Sequence, residues 1–463
     1  MILTMKFSFF TQRSHLSTSL ALIFVVGCGT GKECDDVTEC TDETDTTTLI
    51  TETGDTGDTS PKPFLEQSTP WSNILFITLD TLRLDRITES HMPNLSAILQ
   101  ESIVLRNNRA CSNWTFVSMG CLLTGRSSIE QSFVPMDITD YPDSAEMFPE
   151  ILRAQGFHTK MVGSHPLLSI GNLFQGFDQR LNLNPAHADT VTEAALNGLG
   201  DLDQHERWFY YLHFQDPHQP FSAPDSYVTD LASLPFTGID WRSTDLASTL
   251  EPRWLVASST EKENIVTNLI AYYDAEVAFL DEHVGSLWEG LLTSGALNDT
   301  LVVFMTDHGE QLYEHGGFTH DVDIYTEETS NLVAFWAANL APTDVVFPTI
   351  NQDVAPTILN ALGLEVPLQM TGSILGFSET GRPVFSMTAD EYFGVNQSVE
   401  AEGQRLIFRW NGSRELYNLL EDPGETNDIF GDDPTLEETL FNLLLPEIMA
   451  LDSIIPDESP TGL

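Results

Sequence analysis

Asn73-Ile-Leu-Phe-Ile-Thr-Leu-Asp-Thr-Leu-Arg-Leu-Asp85 holds a short apolar run, Ile74 to Ile77, that gives way to polar residues at Thr78-Leu79-Asp80. A run of this length reads as a buried strand. Two later segments repeat the pattern: Trp208-Phe-Tyr-Tyr-Leu212 ends near Asp216-Pro217-His218, and Leu301-Val-Val-Phe-Met305 ends at Thr306-Asp307-His308. Between them Ile270, Tyr273, Val277, Leu280, Val284, Leu287 and Leu291 recur at intervals of three and four, the stripe of an amphipathic helix. Asp274, Glu276, Asp281 and Glu282 fall off that stripe and are expected on a solvated face. Strands alternating with helices predict an α/β fold. Residues just past its strands would share the carboxyl edge of one sheet, where ligands bind in open α/β sheets.

Asp80, Asp307 and His308 would meet at that edge. Two carboxylates and an imidazole suit Ca²⁺, Mg²⁺, Mn²⁺ or Zn²⁺. Taken singly, an Asp after a strand is more often a turn or cap residue. His165 and His213 are expected to be packed or capping histidines. After about residue 365 Pro and Gly become frequent, and a strand pair (Arg405 to Trp410, Glu415 to Leu419) precedes a final helix from Leu436 to Leu451.

The segment Asn73 to Asp85 closely resembles the opening strand and metal loop of the sulfatase family, within the alkaline phosphatase superfamily. Thr306-Asp-His-Gly-Glu310 with His315-Gly316 is similar to that family's second metal motif. Ser90-His-Met-Pro-Asn-Leu95, Asn113-Trp-Thr-Phe-Val-Ser-Met-Gly-Cys-Leu-Leu-Thr-Gly125, Tyr273-Asp274-Ala-Glu276, Asp353-Val-Ala-Pro-Thr357 and Arg414-Glu-Leu-Tyr-Asn-Leu419 with Asp422-Pro-Gly-Glu425 follow in the family's order. The resemblance covers about residues 72–430. It implies a large mixed, mostly parallel sheet flanked by helices, with a catalytic domain over 71–365 and a small C-terminal α+β subdomain over 366–463 completing it.

It also implies one divalent cation, Ca²⁺ by family habit with Mn²⁺ or Zn²⁺ compatible, held by Asp80, Asp307, His308 and the nucleophile. Counting back from Leu122-Leu-Thr-Gly125 puts Thr115 at the position where sulfatases carry the Cys or Ser of a C/S-x-P-x-R motif. Val117 stands where the Pro would be and Met119 where the Arg would be, so no formylglycine is expected. A threonine has one hydroxyl. Its covalent ester must be opened by water at phosphorus or sulfur, which favours phosphate or phosphonate esters over sulfate. By resemblance His218 and His320 contact the ester oxygens or protonate the leaving group. Asp216, His218 and His320 are the alternative ligand set, for a second metal ion. Arg83, Arg109 and Arg126 are near in sequence, with no assigned place in the site.

Upstream, Lys6 and Arg13 precede the apolar run Leu20 to Val26, which ends at Gly27-Cys28. This is the pattern of an export signal, and the run is shorter than the ~20 apolar residues of a spanning helix. Val25-Val26-Gly27-Cys28 resembles the bacterial lipoprotein lipobox, which implies signal residues 1–28, a lipid on Cys28 and an exported protein held at a cell or outer membrane. Residues 29–70, rich in Thr, Asp, Glu and Gly, read as a disordered linker. Cys34 with Cys40 and Cys111 with Cys121 are candidate disulfides in an oxidising compartment.

The chain has 463 residues, 41% of them apolar, which excludes wholesale disorder. It carries 69 Asp and Glu against 20 Lys and Arg, a net charge of −49. Such a chain repels nucleic acid and other polyanions, so a nucleic-acid partner is excluded and a small anionic ester is the expected substrate. The expected activity is metal-dependent hydrolysis of a sulfate, phosphate or phosphonate ester. The alternatives are phosphoryl transfer to a lipid or glycan, and a catalytically inactive surface-binding lipoprotein.

Overall fold

The computed structural model describes residues 63–65, 71–131, 140–243, 246–320, 323–376, 382–388 and 394–454. The expected signal with Cys28, and the Cys34 and Cys40 pair, lie outside them. Phe64 and Leu65, read as linker, are buried in the core, and Pro63 bridges to Gly376. The folded body therefore reaches upstream of residue 71.

The three apolar runs are adjacent strands. β1 (Asn73–Leu79) is followed in the chain by β2 (Ile103–Leu105), β3 (His158–Gly163), β4 (Gln179–Asn182), β5 (Trp208–Phe214), β6 (Thr300–Thr306), β7 (Val333–Trp336) and β8 (Thr343–Val345). They form one sheet in the order β8-β2-β7-β6-β1-β5-β3-β4. Only β7 runs antiparallel to its neighbours. The sheet is thus mixed and mostly parallel, as expected. Its central strands are buried on both faces, which explains their continuous apolar runs.

Alternation divides the core into two layers. Leu75, Ile77 and Leu79 face the helices Ala188–Leu202 and Ser259–Ser294, while Ile74 and Phe76 face Thr115–Thr124 and Val354–Ala361. The register pairs Leu79 with both Phe214 and Thr306. Asp80 and Asp307 therefore leave the sheet side by side, with Gln215 and Asp216 on the other flank.

The long helix departs from expectation on its polar side. Asp274 pairs with Arg86 and Glu282 accepts from the Tyr227 hydroxyl, but Glu276 and Asp281 are buried. Glu276 accepts the Ala223 N–H at 2.6 Å. Asp281 accepts the N–H groups of Asn94 and Leu95, the first-turn donors of the helix Pro93–Leu99, at 3.0 and 2.9 Å. Met92, at that helix's N-cap, has no side-chain acceptor to offer, so a carboxylate from another helix supplies the cap. Asp281→Ala should lower stability by about 2 kcal/mol, at the upper end for a cap because two buried donors lose their acceptor. Thermal denaturation measures it; an unchanged midpoint would remove this role.

The C-terminal region holds four antiparallel strands instead of a pair: Val384–Met387, Gln397–Ala401, Gln404–Phe408 and Arg414–Asn418, packed on the helix Pro434–Ile454. This sheet docks on the stretch leading to Thr115. Arg109 Nε meets Glu400 at 2.6 Å, and the Met387 N–H donates to the Cys111 carbonyl.

Candidate active site

The helix Thr115–Thr124 begins at the expected nucleophile. Trp114 is still extended, so Thr115 is the first helical residue and its hydroxyl lies at the positive end of the helix. The helix stops at Gly125, whose φ of 62° is the left-handed conformation a glycine adopts readily. The first turn is fixed from three sides. Ser118 Oγ donates to the Asp307 carbonyl at 2.7 Å, Asn351 Nδ2 donates to Ser118 Oγ at 2.8 Å, and Asn113 Nδ2 donates to the buried Glu328 at 2.7 Å. A disulfide joins Cys111 to Cys121 across the segment that contains Thr115. Replacing both cysteines by Ser should cost about 2–3 kcal/mol, the scale for a loop this short. Equal melting temperatures for the oxidised parent and the double variant would count against it.

Thr115 Oγ1 lies 3.2 Å from His308 Nε2. His308 Nδ1 is 2.9 Å from the Gly309 carbonyl, which can only accept, so Nδ1 carries the proton and Nε2 presents a lone pair. The glycine is required here: a Cβ at Gly309 would fall 2.0 Å from the Glu327 carbonyl oxygen.

Asp80, Asp307 and His308 are fully buried, and one ligand atom from each lies within 4.8 Å of the others. Asp307 Oδ1 accepts the N–H groups of Thr81 and His308, while Asp80 Oδ2 faces His213 Nε2 at 3.1 Å and His165 Nε2 at 3.5 Å. Asp80 Oδ1 and Asp307 Oδ2 have no hydrogen-bond partner. Burial, and then the charge of Asp307, push the Asp80 carboxyl up to about 7. Burial also works against Asp307, but His308, His213 and the two backbone donors hold it below the usual carboxylate range. Two orphaned carboxylate oxygens and an imidazole lone pair, sealed from water, fit a divalent cation and are costly without one.

His165 and His213, expected to be packing or capping groups, do pack and cap. His165 Nδ1 accepts the Leu167 N–H, and His213 Nδ1 faces the Tyr211 hydroxyl at 2.8 Å. Both nevertheless turn Nε2 toward Asp80. His165 Nδ1 is an acceptor, so its Nε2 carries the proton, and an ionised Asp80, which can only accept, takes a proton from His213 Nε2, so both rings orient the carboxylate. Burial, the leading cause, lowers His213 to about 4, and burial with neighbouring imidazoles takes His165 well below its ordinary value, so both stay neutral.

His218 and His320 complete a row of rings, with centroids 5.0 Å apart and His320 4.7 Å from His308. His218 Nδ1 contacts the Gln219 carbonyl at 2.5 Å, which leaves Nε2 as its free atom, and His320 Nδ1 is 3.4 Å from the Glu310 carboxylate. The alternative ligand set of Asp216, His218 and His320 is not assembled. Asp216 instead groups with His187 and Glu276, because the loop after β5 turns its carboxylate back toward the long helix.

None of the three arginines near in sequence pairs with the acidic centre. Arg83 binds Asp85 and Glu314, Arg109 binds Glu400, and Arg126 binds the Glu130 carbonyl. Met119, where an arginine was expected by resemblance, is buried in the core with Phe116, Leu122 and Leu123.

Fold and site together define an α/β enzyme with its polar centre at the carboxyl edge of a mostly parallel sheet. The family model described as Sulfatase matches residues 72–364, and the chain belongs to the sulfatase family of ester hydrolases. The chain is 23% identical to an N-acetylglucosamine-6-O-sulfatase of Bacteroides thetaiotaomicron, over 79% of this chain and 84% of the relative. Its fold is similar to that of a protein solved in complex with its substrate D-glucosamine-2-N,6-O-disulfate (TM-score 0.67, 19% identity, 86% of this chain and 100% of that one). It is equally similar to a phosphonate monoester hydrolase from Silicibacter pomeroyi (TM-score 0.67, 20% identity, 85% and 97%).

Proposed function

We propose that this protein hydrolyses small phosphate, phosphonate or sulfate esters through Thr115, with the phosphorus esters preferred. The observation that carries the reading is the Thr115 hydroxyl, 3.2 Å from His308 Nε2 at the head of a helix and beside the Asp80 and Asp307 pair. Asp80, Asp307 and His308, with the Thr115 oxygen, would hold the cation; when bound it supplies positive charge to the ester oxygens and lowers the pKa of the hydroxyl. Thr115 Oγ1, its hydroxyl proton released to solvent, forms a bond to phosphorus or sulfur as the bond to the leaving oxygen breaks. His218, protonated at Nε2, gives that oxygen its proton, and His320 faces the charge on the non-bridging oxygens. Water then cleaves the threonine ester at phosphorus or sulfur and regenerates the hydroxyl.

The single hydroxyl of Thr115 supports phosphorus over sulfur, and a phosphonate monoester hydrolase shares the fold. The Cys111–Cys121 disulfide supports an exported protein, in keeping with a lipid tether at Cys28.

Purified protein, with Thr115→Ala as control, is to be assayed on aryl phosphate, phosphodiester, phenylphosphonate and aryl sulfate. Turnover of phosphorus esters in water alone is the expected result. Product formed only with an added alcohol acceptor would make the protein a transferase, and no turnover at full metal occupancy would sink the enzymatic reading. Because a chain of charge −49 repels an anionic ester, KM for these substrates should fall as salt rises; a flat or rising KM would contradict this.

A further inference from the structure

We infer that His187, Asp216 and Glu276 form a second divalent-cation site, for Mn²⁺ or Zn²⁺, that ties the loop carrying His218 to the long helix Ser259–Ser294. One ligand atom from each of the three lies within 4.8 Å of the others. Asp216 is 3% exposed, and neither of its carboxylate oxygens has a hydrogen-bond partner. Its nearest ring nitrogen is His187 Nδ1, 3.5 Å from Oδ1. Glu276 is 1% exposed and uses Oε1 to accept the Ala223 N–H at 2.6 Å.

Two buried carboxylates facing one imidazole form a hard, oxygen-rich set with one nitrogen, which suits Mn²⁺ or Zn²⁺. His187 Nε2 lies 3.3 Å from Ser222 Oγ. Donation from Nε2 to that hydroxyl leaves Nδ1, the atom that faces Asp216, as the one that an ion would take in place of a proton. A cavity of about 400 Å³, lined among others by His187, Asp216, His218, Gln219 and Ser222, gives an ion a path from solvent.

The consequence is mechanical. Asp216 is two residues before His218 and Glu276 holds Ala223, so an ion at this point would clamp both ends of the His218 loop to the helix. The inference does not rest on the chemistry assigned to Thr115.

The test counts ions. Full-length protein stripped by chelator is titrated with Mn²⁺, and bound metal is followed by the loss of the free-ion electron paramagnetic resonance signal. Two ions are expected in the parent, one in His187→Gln, one in Asp307→Asn and none in the double variant. His187 is half-buried, so its replacement should leave the fold intact by circular dichroism; Glu276→Gln, isosteric and able to keep the Ala223 contact, should also lose one ion. Retention of the parent count in both His187→Gln and Glu276→Gln overturns the site, as does a single parent ion that Asp307→Asn removes. A single parent ion lost in His187→Gln and kept in Asp307→Asn would support this site and remove the cation from the centre at Asp80. Mn²⁺ should also slow amide hydrogen exchange in residues 215–223 of the parent but not of His187→Gln.

Discussion

Thr115→Ala is expected to lower kcat on the best phosphorus ester by about 10³-fold or more while leaving KM within a few-fold. Loss of a nucleophile removes an interaction that exists only once bond formation begins, so the effect belongs in kcat. Three decades correspond to about 4 kcal/mol of barrier. The fold should survive: the hydroxyl contacts only the His308 ring, and Ser118, Asn351 and the disulfide still hold the helix. Thr115→Ser, which keeps the oxygen but adds a rotatable hydroxymethyl group, should retain part of the rate. An acid quench during turnover should leave the phosphoryl group on the peptide containing Thr115. Full activity in Thr115→Ala, or label on another residue, would reject the assignment.

The second large effect concerns cation and proton together. In the metal-free protein Asp80 sits at about 7, against 3.8 for the free side chain. Between these values the folded protein binds a proton that the unfolded chain has released, so stability falls as pH rises through this window. For a fully buried carboxylate the loss is on the order of 4 kcal/mol, and Asp307, held on the acidic side, titrates below this window and does not offset it. A cation held by Asp80 and Asp307 would replace that proton. Added Ca²⁺ or Mn²⁺ should therefore raise the melting temperature much more at about pH 8 than at about pH 5.5. Asp80→Asn should flatten the pH dependence of the metal-free protein, and chelation should abolish turnover. A cation shift that does not vary with pH, in parent and Asp80→Asn alike, would show that the ion binds elsewhere.

Much of this architecture was legible because buried parallel strands write themselves as unbroken apolar runs. Asp80, Asp307 and His308 follow such runs directly. Thr115 was reached by counting back from Leu122-Leu-Thr-Gly125, a step that needed the family resemblance. His165 and His213 pack and cap as their sequence suggests, but both also turn Nε2 toward Asp80, and no local pattern shows that. His213 is the next-to-last residue of the apolar strand Trp208–Phe214, which is the one available signal. Glu276 and Asp281 failed for a different reason. Helical periodicity reports which side chains avoid water, and a carboxylate buried to serve another segment's N–H groups looks the same as a solvated one. The same blindness applied at Phe64-Leu65, two apolar residues too few to form a pattern.

Met119 packs into the core, and no guanidinium or ammonium among the described residues pairs with Asp80 or Asp307. On the proposed reading, the positive charge that meets a bound ester is thus conditional. The imidazoles of His218 and His320 carry it only when protonated, and the cation carries it only while bound. An arginine at that helix position would be a permanent charge, indifferent to pH and to metal supply. On the proposed reading, anion affinity would be set from outside, by the acidity and the divalent ions of the surrounding medium. A change in either would then release an anionic product without moving the backbone.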